Sequence, residues 1–383
     1  MAYFRGTPAA DMHKGGAEND VLDGLGGNDT LWGLDGDDTV YGGAGHDGLS
    51  GDRGNDELHG EWGNDRLHGG EGDDVLHGGH GDDMLDGGAG DDELHGGAGD
   101  DRIRGGDGDD LVVGLSGSDT IDGGAGIDTL DLSGVAGSSA GYGVVADTTD
   151  AASGSVYDYG TSTTSRLSNV ERIVGTAQND FVFQGDGDDF FDGGGGDDFW
   201  SGGEGADTFI GGDPWADDRD TASYANAEAG VVAALNSYNT NGGGEARGDT
   251  LLFVENLIGS RFADTLTGDT GDNEISGGGG RDELRALTGS DTLTGGGGAD
   301  TFVFHKSTGG SHYGSSWSDT DRGDDLITDY VADVDEIRLV GYRADEVSVR
   351  DSGADAVIDA GWHVDIRVAG AAGELAASDL ILA

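Results

Sequence analysis

The chain has no cysteine, only two prolines and no long apolar run. Without cysteine there is no disulfide framework and no thiolate metal site. No stretch approaches the roughly 20 apolar residues of a membrane helix, so membrane insertion is not expected. The opening "MAYFRGTPAADMHKGG" lacks the apolar core of a secretory signal peptide. Taken alone, these absences suggest a cytosolic protein. Positive charge is scarce too: 19 Lys and Arg stand against 77 Asp and Glu, a net charge of −58. Nucleic acid is a poor partner for so acidic a surface, and a cation is the natural one. Neither an H-E-x-x-H motif nor a P-loop occurs, and the only lysines are Lys14 and Lys306. No enzyme is expected.

Glycine, by contrast, supplies 80 of 383 residues. Such a composition with this much charge usually marks disorder, but the order of the residues argues otherwise. From Gly15, thirteen nonapeptides follow without a gap, ending at Asp131. The first position is Gly and the sixth Asp in all thirteen, and the eighth is Leu, Ile or Val. A lead-in (1–14) precedes this block (15–131). A spacer rich in expected strands (132–174) leads to a second block (175–210), another such spacer (211–258) to a third (259–303), and a tail without the period (304–383) follows. In the third block Asn273 replaces one Asp. The spacers are related: each ends in Val-Glu-x-(Ile/Leu)-(Val/Ile)-Gly, at Val170–Gly175 and Val254–Gly259.

In "GGHGDDMLD" (78–86) the last three residues alternate Met84 out, Leu85 in, Asp86 out, which predicts a short strand. The first six predict a turn whose carbonyls are unobstructed by Cβ atoms. Two nonapeptides then make one revolution, with turns stacked in two columns and the eighth-position aliphatics between them. The fold class expected is all-β, a parallel β-roll in three blocks with inserted antiparallel strands and a β-rich C-terminal cap. One buried aliphatic per nine residues is too little to offset backbone ordering, and the stacked acids repel. Calcium meets both needs, because it takes six to eight hard oxygen ligands in tolerant geometry, whereas magnesium prefers to keep its waters. The expected ligands are Asp29, Asp38, Asp47, Asp56, Asp65, Asp74, Asp83, Asp92, Asp101, Asp110, Asp119 and Asp128 in the first block. Asp189, Asp198 and Asp207 follow in the second, and Asp282, Asp291 and Asp300 in the third. Pairing alternate repeats gives roughly 10–16 calcium ions. Asp128, last in its block, has only Asp110 as a neighbour in its column.

The pattern G-G-x-G-x-D-x-U-x resembles the RTX, or haemolysin-type, calcium-binding repeat, for which it is the known signature. In that family an ion sits between successive turns of one column. The resemblance implies that Asp74 and Asp92 share one ion, with carbonyls near Gly69 and Glu71 on one turn and Gly88 and Gly90 on the next. Asp83 and Asp101 would share another on the opposite edge. The tail, with "GGGGADTFVF", "DDLITDYVADVDEIRL" and a final "SDLILA", is similar to the C-terminal region of secreted serralysin-type proteases. That likeness implies export by the type I secretion machinery, hence a secreted or cell-surface protein of a Gram-negative bacterium.

Three further groups stand out. His59, His77 and His95 occupy ninth positions of alternate repeats and are expected to form an outward ladder at roughly 4.8 Å spacing; it is either a secondary metal site or a tolerated solvent-facing row. Arg66, His68, Arg102 and Arg104 form a basic strip, either local charge balance or a grip for a polysaccharide or protein partner. Phe181, Phe183, Phe190 and Phe199 point outward and are expected to be covered by the spacers. Two functions remain open: a structural cell-surface, S-layer-like or matrix component that self-associates, and a polysaccharide-binding or adhesive module.

Overall fold

The computed structural model describes residues 3–150, 153–214, 216–235, 241–306, 324–360 and 365–383. These divide into two compact units, Met1–Asp198 and Phe199–Ala383. The described residues are almost entirely strand and turn, with two short 3-10 turns, Gly244–Ala246 and Ala377–Asp379.

In the first unit the repeats wind into a parallel β-solenoid with strands alternating between two sheets. One sheet runs through Thr39–Ala44, Glu57–Trp62, Val75–His80 and Glu93–Ala98, in register Val40↔Leu58↔Leu76↔Leu94. The other runs through Gly48–Arg53, Arg66–Glu71, Met84–Ala89 and Arg102–Asp107, in register Leu49↔Leu67↔Leu85↔Ile103. Each rung advances 18 residues, two nonapeptides per coil, because only that step returns the same aliphatic position to the same face. These aliphatic residues form the core and are essentially inaccessible.

Strands are longer than the sequence suggests. Most between Thr30 and Ala125 span six residues, as in Met84–Ala89, so positions two and three of those repeats, expected as turn, pair with their neighbours (Gly88↔Gly106, Ala89↔Asp107). The turn proper is positions four to six. Glycine serves two different purposes here. Gly88 and Gly90 have φ of 120° and 131°, a conformation that side chains adopt only under strain. Leu25, Leu34, Asp52 and Glu61 stand at the second position without being glycine, and the coil holds each of them at positive φ. Gly69, at the first position, is needed for space: a Cβ there would overlap Asp74 Oδ2 and the Gly87 carbonyl oxygen.

The first spacer rejoins the solenoid. Thr163–Ser168 lies parallel on Thr120–Ala125 with Leu167 opposite Ile121, and Arg172–Val174 on Thr129–Asp131 with Ile173 opposite Leu130. Between Asp131 and Thr163, Tyr142–Asp147 and Gly154–Asp158 form the antiparallel insertion. Tyr142–Asp147 also pairs with Asn179–Phe183, so Phe181 is half-buried. The lead-in is coiled as well: Phe4 pairs with Leu22 and His13 with Leu31.

The second unit has the same parallel stacking. Asn256–Ile258, Glu274–Ser276 and Thr292–Thr294 form one run. Thr265–Thr267, Glu283–Ala286, Thr301–His305 and Glu336–Val340 form another. The C-terminal Leu380–Leu382 adds a parallel strand beside Glu336–Val340. Ser348–Ser352, Asp355–Asp359 and Asp365–Val368 pair antiparallel. His363 and Val364, which precede Asp365–Val368 in the sequence, lie outside the described residues.

The two glycine roles make opposite predictions. Glu61→Gly is expected to keep or raise the thermal midpoint in calcium, since it removes positive-φ strain of about 1–3 kcal/mol. Gly69→Ala is expected to lower it. Thermal melts of both variants check this.

Candidate metal centre

In the first block the sixth-position aspartates stack in two columns, and all but the last two make the same hydrogen bond to the aspartate of the next coil. The N–H groups of Asp20, Asp38, Asp56, Asp74, Asp92 and Asp110 donate to Oδ1 of the aspartate 18 residues on, at 2.6–2.9 Å. On the opposite edge Asp11, Asp29, Asp47, Asp65, Asp83 and Asp101 do the same at 2.7–2.9 Å.

The other oxygen is the unusual one. Oδ2 of Asp29, Asp38, Asp47, Asp56, Asp65, Asp74, Asp83, Asp92, Asp110 and Asp128 is buried with no hydrogen-bond partner, as is that of Asp282 and Asp291. Buried carboxylate oxygens are rarely left so. Burial, with a smaller contribution from neighbouring carboxylates, pushes Asp65, Asp74, Asp92 and Asp101 up to about 7 and Asp56 and Asp128 to about 6. Asp282 and Asp291 rise to about 7. In the first block each of these Oδ2 atoms lies against the first glycine of its own repeat, and several face a carbonyl of the next coil. Asp74 meets Gly69 and the Gly87 carbonyl, Asp83 meets Gly78 and the Gly96 carbonyl, and Asp92 meets Gly87 and the Gly105 carbonyl. An anionic, all-oxygen cradle without nitrogen or sulfur fits a hard cation of calcium's size and tolerance.

Starting turns differ. There the second oxygen accepts a backbone N–H from four residues earlier: Thr7 to Asp11, Gly16 to Asp20, Thr176 to Asp180 and Ser260 to Asp264. Asn273 likewise uses its oxygen locally, accepting from the Asp269 N–H.

A family model described as the RTX calcium-binding nonapeptide repeat matches residues 14–49, 49–76, 59–94, 95–130, 168–199, 253–284 and 276–304, together just over half the chain. The chain belongs to the RTX calcium-binding repeat family. Its repeats are therefore calcium-binding repeats, and the orphaned oxygens are where such an ion fits. No curated protein matches the chain. Among solved structures, the extracellular lipase LipA from Serratia marcescens is similar over 79% of this chain at 17% identity with a TM-score of 0.21. This chain spans 40% of that one. At that score the likeness bears on neither fold nor activity.

The remaining residues expected at RTX sites are placed as follows. The Glu71 carbonyl accepts the Gly54 N–H, and Gly88 and Gly90 lie against the carbonyls of Gly70 and Gly72. Asp119 accepts the Asp101 N–H. Asp198 accepts the Asp180 N–H, while Asp189 is half-buried beside Glu171 and raised to about 7 by burial first and the acids around it second. Asp207 donates its N–H to Asp249, whose other oxygen accepts the Tyr224 hydroxyl at 2.7 Å. Asp282, Asp291 and Asp300 accept from Asp264, Asn273 and Asp282.

Several functional groups escaped the periodic reading. Asp128 does not end its column: its N–H donates to Glu171 Oε2 at 2.9 Å, and Asp119 donates to Ser165 Oγ. The second spacer repeats the device, with the Asp220 N–H on Glu255 Oε2. In the tail Asp325 and Asp335 accept from Asp291 and Asp300. The conspicuous signal was the Val-Glu pair at the end of both spacers. Asp11 was visible as an Asp nine residues before Asp20, after a Gly at position one, Gly6. A second ladder runs on the outside through position five, in the opposite sense. Asp73 Oδ1 accepts the Asp91 N–H of the next coil, while Asp74 Oδ1 accepts the Asp56 N–H of the coil before. Paired acids thus stitch each coil in both directions.

The histidine ladder forms as expected, with Tyr41 stacked on His59, His59 on His77 and His77 on His95 at 4.8, 4.9 and 4.4 Å. Burial and the two flanking histidines lower the His77 pKa. The basic strip is interrupted: Met84 separates Arg66 from Arg102. Asp86 lies between His68 and Arg104, at 3.6 and 4.0 Å. Gly137-Ser138-Ser139-Ala140-Gly141 has the Gly-x-Ser-x-Gly spacing of a nucleophile elbow. Ser139 is exposed in a turn closed by Ser138 and Tyr142, without the strand-to-helix elbow that activates such a serine.

Two outcomes follow. Between pH 4 and 7 a carboxylate raised from 3.8 to about 7 binds more protons folded than unfolded, so the metal-free solenoid loses stability as pH rises through that window. Calcium-stripped protein is expected to show more β signal by circular dichroism at pH 5 than at pH 8; less would contradict the burial. Glu171→Ala and Asp128→Ala are each expected to raise the calcium midpoint for folding, whereas an unchanged midpoint in Glu171→Ala would show the column ending at Asp128.

Proposed function

We propose that this RTX chain is a secreted, non-enzymatic protein that folds on extracellular calcium and serves as a structural cell-surface, S-layer-like or matrix component by self-association. The observation that carries the reading is the row of buried carboxylate oxygens without partners. Without a cation these charges destabilise the coil they line, and a cation shared between coils turns the same feature into its main support. The proposed ligands are the sixth-position aspartates from Asp29 to Asp128 with Asp189, Asp198, Asp207, Asp282, Asp291 and Asp300, joined by carbonyls of the next coil. The proposed organisation is three repeat blocks at 15–131, 175–210 and 259–303, with the tail at 304–383 serving as cap and type I secretion address. Low cytosolic calcium keeps such a chain unfolded for export, and millimolar calcium outside folds it. No helix among the described residues is long and apolar enough to cross a membrane.

A second reading is a polysaccharide-binding module. Its support is the single sheet that carries Arg66, His68, Arg102 and Arg104, and the Asp86 contacts weaken it by neutralising part of the strip.

The purified full chain is expected to be largely disordered in chelator and β-rich at millimolar calcium, and to form ordered assemblies by negative-stain electron microscopy only in calcium. A native-like circular dichroism spectrum in excess EGTA would overturn the calcium-folding reading. Monodisperse particles in calcium, with salt-sensitive retention on an anionic polysaccharide column, would overturn self-association in favour of the second reading.

A further inference from the structure

The histidine ladder is chemically unlike the aspartate columns. It lies on the outward face of the sheet whose inward face carries Leu58, Leu76 and Leu94, and the parallel register puts His59 opposite His77 and His77 opposite His95. A carboxylate stands two residues before the first and third histidines, and the middle strand has Val75 at that position. Glu57 Oε1 lies 2.9 Å from His59 Nε2, and Glu93 Oε1 lies 2.7 Å from His95 Nε2. Among the described residues, Glu57, His59 and His77 bring one carboxylate oxygen and two imidazole nitrogens within 4.8 Å of one another.

That donor set belongs to a different class of metal. Calcium takes oxygen ligands almost exclusively. Two imidazoles and a carboxylate suit the borderline cations, zinc above all, and match three-ligand sites that leave a fourth position to water. Sheet geometry does the positioning. The rings of His59 and His77 are nearly parallel, 12° apart, with centroids 4.9 Å apart. They are held from both sides, by Tyr41 against His59 and by His95 against His77. Ligand distances of about 2.0–2.2 Å require the donor atoms to close by roughly an ångström, which rotation of these surface side chains supplies without moving the strands.

We propose that Glu57, His59 and His77 form a binding site for one zinc-class divalent ion, independent of the calcium columns, with Tyr41 and His95 positioning the two imidazoles. The site is built on two neighbouring strands one coil apart, so it exists only in the folded solenoid. Zinc at this place clamps adjacent coils from the outside, as calcium does at the turns.

The test uses tag-free, full-length protein saturated with calcium, so that the aspartate columns are filled before zinc is added. Equilibrium dialysis against zinc, read by elemental analysis, is expected to give one zinc per chain with the calcium content unchanged. His59→Gln and His77→Gln are each expected to lose the zinc, while His68→Gln, on the other sheet, keeps it. Circular dichroism in calcium confirms that each variant is folded. Cobalt in place of zinc is expected to give visible absorption bands of a nitrogen-ligated site, absent in His77→Gln. Zinc retained by a folded His59→Gln/His77→Gln double variant, or no zinc uptake by the parent chain, would overturn the proposal.

Discussion

Everything in this protein turns on a carboxylate that is satisfied on one side only. Interior sixth-position aspartates such as Asp74, Asp83 and Asp92 give Oδ1 to the N–H of the coil before and hold Oδ2 in a buried cradle without a partner. A charge left like that is among the most costly features a fold can contain. It recurs at fixed register through both columns of the first unit, so it cannot be a local accident of packing. The first-position glycine exists to leave room for it, since any Cβ there would occupy the space between the carboxylate and the facing carbonyl. A cation in that space is both the missing hydrogen-bond substitute and the counter-charge to the acidic chain.

Coupling between coils follows from the same bond. The inner aspartates reach to the preceding coil and the outer position-five groups to the following one, so no coil is stable by itself and each supports only its neighbours. This is the energetics of a one-dimensional array. Its ends need special chemistry, which the starting turns supply by closing the spare oxygen on a local N–H. The histidine row on one outer face is a third contact of the same nearest-neighbour kind.

Much of this was legible in the sequence, because a fixed period of nine with invariant Gly, Asp and aliphatic positions leaves one way to stack them. The two columns, the thin core and the histidine ladder all follow from register alone. What stayed hidden is where chain separation stops matching spatial separation. Asp119 meets Ser165 across 46 residues, Asp128 meets Glu171 across 43, and Asp291 meets Asp325 across 34. An inserted hairpin or loop breaks the count without breaking the column, and the acceptor need not be an aspartate. Strand length was also underestimated, because glycine at positive φ reads as turn although the parallel ladder runs through it.

The central claim is that a calcium ion lies beside each orphaned oxygen. Anomalous diffraction from crystals grown in millimolar calcium tests it directly. The account predicts peaks in two rows within about 2.3–2.6 Å of Oδ2 of the interior aspartates, with none at the starting turns of Asp11 and Asp20. Peaks confined to the outer position-five carboxylates such as Asp73, with Oδ2 of Asp74 and Asp83 left bare, would contradict it.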